Sequence, residues 1–134
     1  EESSINNINV AKEFKNVFED SIQVHLRSDV EVGSCLSGGL DSSSIVCTAA
    51  KNNKEKIKVF NSRFEEKKFD ESNYAQMVAD KYDLKLHYCS LNPSDVLNQL
   101  DKILFHQDEP FTDFSIMAQW EVMKLANENG KKLC

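Results

Sequence analysis

The stretch from Val32 to Cys47, VGSCLSGGLDSSSIVC, constrains the fold more than any other part of the chain. An apolar run without a helical stripe enters it and a helical pattern leaves it. It therefore reads as a buried strand delivered through a tight turn into a helix. Two glycines in the turn remove Cβ atoms, so the backbone can bend sharply and approach a ligand closely. The helix that follows offers unpaired N–H groups and the positive end of its dipole. Such a junction favours an oxyanion, most simply phosphate. Ser37, Ser42 and Ser43 add hydroxyl donors.

The alternation continues along the chain. Residues 1–9 are polar and Asn/Ser-rich and read as a linker. From Val10, the residues Phe14, Val17, Phe18, Ile22 and Leu26 recur at helical steps to about Arg27. A strand over Val30–Leu36 leads into SGGLDSS, and the next helix is expected to start near Asp41 and Ser42 and stop at Asn52 and Asn53. A second strand covers Ile57–Ser62. Asp70 to Ser72 cap a helix through Ala75, Val78, Ala79 and Tyr82, and LKLHYC (84–89) alternates as a third strand. Ser94 opens a helix with an apolar face of Val96, Leu97, Leu100, Ile103 and Leu104, and His106 is placed to cap its end. The segment HQDEPFTDF breaks the pattern, because Pro110 pushes Glu109 out of helical geometry. A last helix over Ser115–Glu128 places Trp120 and Met123 in the core and ends at Gly130, after which KKLC opens a strand. Strands alternating with helices imply an α/β fold, a Rossmann-like parallel sheet covered by helices on both faces, with ligands beyond the carboxyl ends of the strands. SGGLDSS stands at that edge.

Charge and cysteine usage narrow the function. Sixteen Lys and Arg against 22 Asp and Glu give a formal charge of −6, which argues against a broad surface for nucleic acid or an anionic membrane. No apolar run approaches the length of a membrane span. Cys35, Cys47, Cys89 and Cys134 form no CxxC pair and read as reduced, largely buried thiols of a cytoplasmic protein; His25, His87 and His106 are too far from them in sequence for a zinc pattern. The turn matches neither GxxxxGK[ST] nor GxGxxG. Where a phosphate-binding lysine would be expected stands Asp41, whose carboxylate would repel phosphate oxygens unless a hard cation bridged them. Mg²⁺ is the expected partner.

SGGLDSS resembles the pyrophosphate-binding loop of the ATP-pyrophosphatase (PP-loop) group. Three blocks, LRSDVEVGSCLSGGLDSS, FDESNYAQMVADKYDLKLHY and DEPFTDFSIMAQWEVMKLANENGKKLC, resemble the synthetase domain of glutamine-hydrolysing asparagine synthetases, in family order. The resemblance implies an adenine nucleotide alpha hydrolase-like fold, truncated at its C-terminus, with residues 10–134 as the N-terminal part of the synthetase domain. It also implies the activity of a longer parent. Aspartate's side-chain carboxylate attacks the α-phosphate of ATP, pyrophosphate leaves, and glutamine-derived ammonia displaces AMP to give asparagine. Carried over by position, Ser37, Gly38, Gly39, Asp41, Ser42 and Ser43 match the pyrophosphate loop, with Asp41 facing Mg²⁺, and Cys35 and Ser62 match positions that contact the adenosine. Cys35, Ser62 and Arg63 depart from the residues common there, and Arg63 reads either as crowding the nucleotide pocket or reaching a phosphate, or equally as an exposed loop arginine. Asp70 and Glu71 read as helix-capping carboxylates in preference to a substrate or metal role, while Asp108 and Glu109 in the DEPF block shape either the aspartate or metal site or a polar turn. No catalytic residue falls within the chain, which is expected to be inactive alone. Implied partners are ATP, aspartate, a glutaminase domain of the same parent and a second parent copy in a homodimer. Two alternatives stay open: intramolecular amide closure of the β-lactam synthetase type, and a nucleotide-binding module without catalysis.

Overall fold

A computed structural model describes residues 7–53, 57–64, 66, 68, 70–113, 115–130, 132 and 133. The elements follow in the order α1 (Asn7–His25), β1 (Val32–Cys35), α2 (Leu40–Asn53), β2 (Lys58–Phe64), α3 (Ser72–Tyr82), β3 (Leu86–Leu91), α4 (Pro93–Gln107), α5 (Ser115–Glu128) and β4 (Lys132–Leu133). The four strands form one sheet in the order β3-β2-β1-β4, and every pairing is parallel. Parallel neighbours require crossover connections, which the intervening helices supply.

Adjacent residues of β2 show how the sheet is covered. Val59 and Phe60 are both fully buried, yet they belong to different clusters, because side chains alternate along a strand. Val59 joins Leu36, Val46, Ala49, Ala50, Ala75 and Ala79 under α2 and α3, with Ile22 of α1 closing the edge. Phe60 joins Val122 and Ala126 of α5, flanked by Cys35, Cys89 and Leu133. Helices thus cover both faces, as the alternation predicts. A Cβ on Gly33 would lie 2.6 Å from the Phe60 ring, so β1 needs a glycine there for that ring to pack. Among the described residues no helix is long and apolar enough to cross a membrane, and Cys35, Cys47 and Cys89 are not joined in disulfides. Cys134 lies outside the described residues.

The differences from the sequence expectations have local causes. Residues 7–9, read as the end of the linker, form the first turn of α1, where Asn is well tolerated. β1 is shorter than expected because Val30 lies in a bend, half exposed, with its N–H on Ser28 Oγ. β2 runs on to Phe64, since Arg63 and Phe64 pair with Ser90 and Leu91. β3 begins two residues late because Leu84 closes α3 instead. Its N–H reaches the Ala79 carbonyl while Asp83 turns left-handed (φ 53°) and donates to Asp80, and the Leu84 side chain is buried. Asn92, not Ser94, caps α4, accepting from the Ser94 N–H at 3.0 Å with Pro93 in the first turn. Asp108, not His106, ends that helix in a left-handed turn. The expected apolar face of α4 buries Ile103 but leaves Leu97 and Leu104 exposed. On α5, Met123 is also exposed, and half-buried Trp120 donates its indole N–H to Gln99 of α4. Gly130 turns the chain just past α5, as expected.

Candidate functional site

The pairing of β1 with β2 ends at Cys35 and Phe60, and the loop begins there. Leu36 is fully buried; its N–H donates to the Phe60 carbonyl (2.8 Å) and its carbonyl accepts from Asn61 Nδ2 (2.7 Å). Ser37 comes next and is exposed. Its Oγ accepts from the Gly39 N–H (3.3 Å) and lies 2.8 Å from Ser42 Oγ, which also donates to the Gly39 carbonyl. The Gly39 carbonyl accepts from the Ser43 N–H as well, so Gly39 occupies the cap of α2 and the helix starts one residue ahead of Asp41. That arrangement leaves the amides of Leu40, Asp41 and Ser42 in the open first turn.

Gly38 fixes the other side of the loop. Its φ of +100° suits glycine alone, and an added Cβ would lie 2.6 Å from the Glu71 carbonyl oxygen and 3.2 Å from the Ala75 nitrogen. The loop is therefore seated on the start of α3. That start is in turn held by Asp70, whose carboxylate accepts from the Ser72 N–H and hydroxyl at 3.1 and 3.0 Å. Among the described residues a Cβ on Gly39 would meet only Ser37 Oγ, at 3.5 Å, so the loop is open on that side. Asp41 is exposed in the first turn of α2 and borders a groove of about 650 Å³ between α1 and α2. Among the described residues no group of three or more His, Cys, Asp or Glu could hold a metal ion. A cation at Asp41 would have to take its other oxygens from a ligand, which is the way Mg²⁺ binds beside phosphates.

Cys35 and Ser62 share one face of the sheet. Cys35 pairs with Phe60 on the α5 side, and Ser62 follows two residues later, opposite Cys89. The structure thus groups Ser37, Gly38, Gly39, Asp41, Ser42 and Ser43 in one loop and first helical turn, with Cys35 and Ser62 at the same sheet edge on the α5 face. Arg63 belongs to neither set. It is part of β2, not a loop, on the opposite face from Ser62, and its guanidinium carbon lies 3.6 Å over the Tyr88 ring of β3, the strand farther from the loop. Asp70 serves helix α3, as its position suggested. Asp108 and Glu109 are exposed, and among the described residues no hydrogen bond or ion pair joins them to the loop. Sequence reasoning missed Asn61 and the Glu71 carbonyl. An asparagine inside the run IKVFNS was the available signal for the first; the second is a backbone contact with no sequence signature.

The family model described as asparagine synthase matches residues 13–134. The chain belongs to the asparagine synthase family. It is 37% identical over 120 residues, 90% of its length, to asparagine synthetase [glutamine-hydrolyzing] 1 of Bacillus subtilis, covering 19% of that protein. To the putative asparagine synthetase [glutamine-hydrolyzing] 2 of Methanocaldococcus jannaschii it is 34% identical over 87% of its length, covering 23%. The chain of this asparagine synthase family member therefore spans about a fifth of the curated relatives it matches. Its fold is also found in NAD synthetases. It resembles an NH3-dependent NAD synthetase from Campylobacter jejuni with a TM-score of 0.61 at 16% identity, over 91% of this chain and 54% of that one. A glutamine-dependent NAD+ synthetase from Acinetobacter baumannii, solved with ADP, gives 0.58 at 18% identity, over 87% and 23%.

Proposed function

We propose that this chain forms the pyrophosphate-gripping part of an ATP-dependent ligase that activates a carboxylate as an acyl-adenylate and then amidates it. The observation that carries the reading is the loop: a left-handed Gly38 seated on α3, a Ser37–Ser42 hydroxyl pair and an open first turn of α2 meet at the carboxyl edge of β1. In this reaction the carboxylate oxygen attacks the α-phosphorus of ATP, the bond to the bridging oxygen breaks, and pyrophosphate carries the charge away. Ammonia then displaces AMP and gives up a proton. The helix-start amides and the hydroxyls of Ser37, Ser42 and Ser43 would bind the pyrophosphate oxygens where that charge develops. Asp41 would hold Mg²⁺, which neutralises phosphate charge when bound. Cys35 and Ser62 would flank the adenosine.

Family membership and the names of the relatives support aspartate as the acceptor and glutamine as the ammonia source, with a glutaminase domain elsewhere in the protein. Titration calorimetry tests the binding step on the chain itself. Mg-ATP should bind weakly, and Asp41→Asn should remove the metal-dependent part of the affinity; equal binding with and without Mg²⁺ in both forms would exclude the role given to Asp41. Phosphorus NMR of the longer enzyme tests the chemistry. Aspartate-dependent release of AMP and pyrophosphate is expected, whereas release that ignores aspartate would assign another acceptor.

A further inference from the structure

We infer that Asn61 is a positioning residue for the pyrophosphate loop, an inference that rests on the nucleotide reading above. Asn61 follows Phe60, the last residue of β2 paired with β1, and is 2% exposed. Its Nδ2 donates to the Leu36 carbonyl at 2.7 Å, across 25 residues of sequence, and so continues the link between the strands where ladder pairing has ended. The peptide held in this way is the one leading into Ser37. With the Leu36 side chain buried and its N–H on Phe60, both faces of the residue before the loop are fixed. Ser37 Oγ, in turn, holds the Gly39 amide and meets Ser42. The Asn61 amide thus sets one end of the loop and the Glu71 carbonyl under Gly38 sets the other.

The chemistry of the side chain fixes its orientation. Turned over, the amide would aim its oxygen at the Leu36 carbonyl, so only the observed rotamer bonds; its Oδ1 is then buried with no partner among the described residues. An apolar residue would avoid that unpaired acceptor but would strip the Leu36 carbonyl of its donor. The Asn61 backbone is held from the far side, where the Cys89 thiol contacts its carbonyl at 3.7 Å. Burial pushes the Cys89 thiol up, with the Glu121 carboxylate adding to the effect, so it stays a protonated donor.

The test compares the wild type with Asn61→Ala and Asn61→Ser, by amide exchange in NMR and by calorimetry with Mg-pyrophosphate and with adenosine. In either folded variant, exchange at Leu36 and Gly39, the hydrogen-bonded amides at this end of the loop, should rise about tenfold while α5 is unmoved, and Mg-pyrophosphate affinity should fall about tenfold with adenosine affinity preserved. Unchanged loop exchange in a folded variant, or equal losses for both ligands, would overturn the inference. Should the wild type bind neither ligand, the nucleotide reading fails, and the exchange data still decide whether Asn61 holds the loop. Asn61→Ser, with its smaller loss of packing, covers the case in which Asn61→Ala does not fold.

Discussion

Gly38→Ala and Gly39→Ala are the same chemical change one residue apart, and the structure assigns them different consequences. At Gly38 an alanine must adopt φ near +100°, which costs an L-residue about 1–2 kcal/mol. Its methyl also lies 2.6 Å from the Glu71 carbonyl oxygen and 3.2 Å from the Ala75 nitrogen, both backbone atoms of the α3 start that cannot rotate away. Relieving that overlap by shifting the loop or the helix adds about 1–3 kcal/mol. The total is about 2–5 kcal/mol against a domain stability of about 5–15 kcal/mol, so the variant folds but is weakened. At Gly39 the methyl meets only Ser37 Oγ at 3.5 Å, and the cost is about 1 kcal/mol or less, mainly from replacing a tolerated helix cap by a poor one. Urea denaturation followed by far-ultraviolet circular dichroism separates the two. With a slope of about 1.5 kcal/mol per molar, the midpoint of Gly38→Ala should fall by about 1–3 M and that of Gly39→Ala by less than about 0.7 M. Equal midpoints would refute the seating of Gly38 on α3. The ligand response should reverse the order relative to stability: Gly39→Ala, whose methyl points to the open side, should lose pyrophosphate affinity while keeping most of its stability.

Two further outcomes follow from side chains around the sheet. Asp113 accepts from the Ser115 N–H at 2.7 Å at the start of α5, and hydrogen bonding by the Ser115 hydroxyl and amide holds its carboxyl below the usual range. A depressed folded-state pKa stabilises above the unfolded value and is lost as pH falls through the folded one. Asp113→Asn should therefore lose the stability that the ionised carboxylate adds above about pH 4 and flatten the acid limb below it; an unchanged acid limb would rule the cap out. Arg63→Ala should cost about 0.5–1 kcal/mol through the lost stacking on Tyr88 and leave Mg-ATP affinity within about twofold, as read by calorimetry. A tenfold loss would mean that the guanidinium leaves Tyr88 to reach the nucleotide.

The strand and helix order was legible because buried parallel strands and amphipathic helices write different periods into the chain. The strand–loop–helix turn at SGGLDSS was legible because its residues are contiguous and each has a local reason to be there. What escaped the sequence depends on which partner an element meets. Leu84 looks like the first residue of a strand, but it is used to close α3. Phe14, Val17, Leu97 and Met123 fit helical stripes, yet remain exposed, because periodicity marks an apolar side without saying what covers it. Arg63 read as a loop residue because β2 was expected to stop at Ser62, and its stacking on Tyr88 depends on a register with β3 that periodicity does not specify. The supports of the loop, Asn61 and the Glu71 carbonyl, lie 25 and 33 residues beyond the positions they hold and could not be paired with them by spacing.

That separation has a consequence for folding order. Ser37 to Gly39 emerge in synthesis before the groups that give them their shape, which come from β2 and from the start of α3. Closing these contacts brings together segments far apart in the chain, which is slow compared with forming a helix turn. The loop should therefore be the last part of the β1-α2-β2-α3 unit to acquire its native geometry. In a refolding experiment, helical signal should return before pyrophosphate-binding capacity, with the lag set by docking of α3.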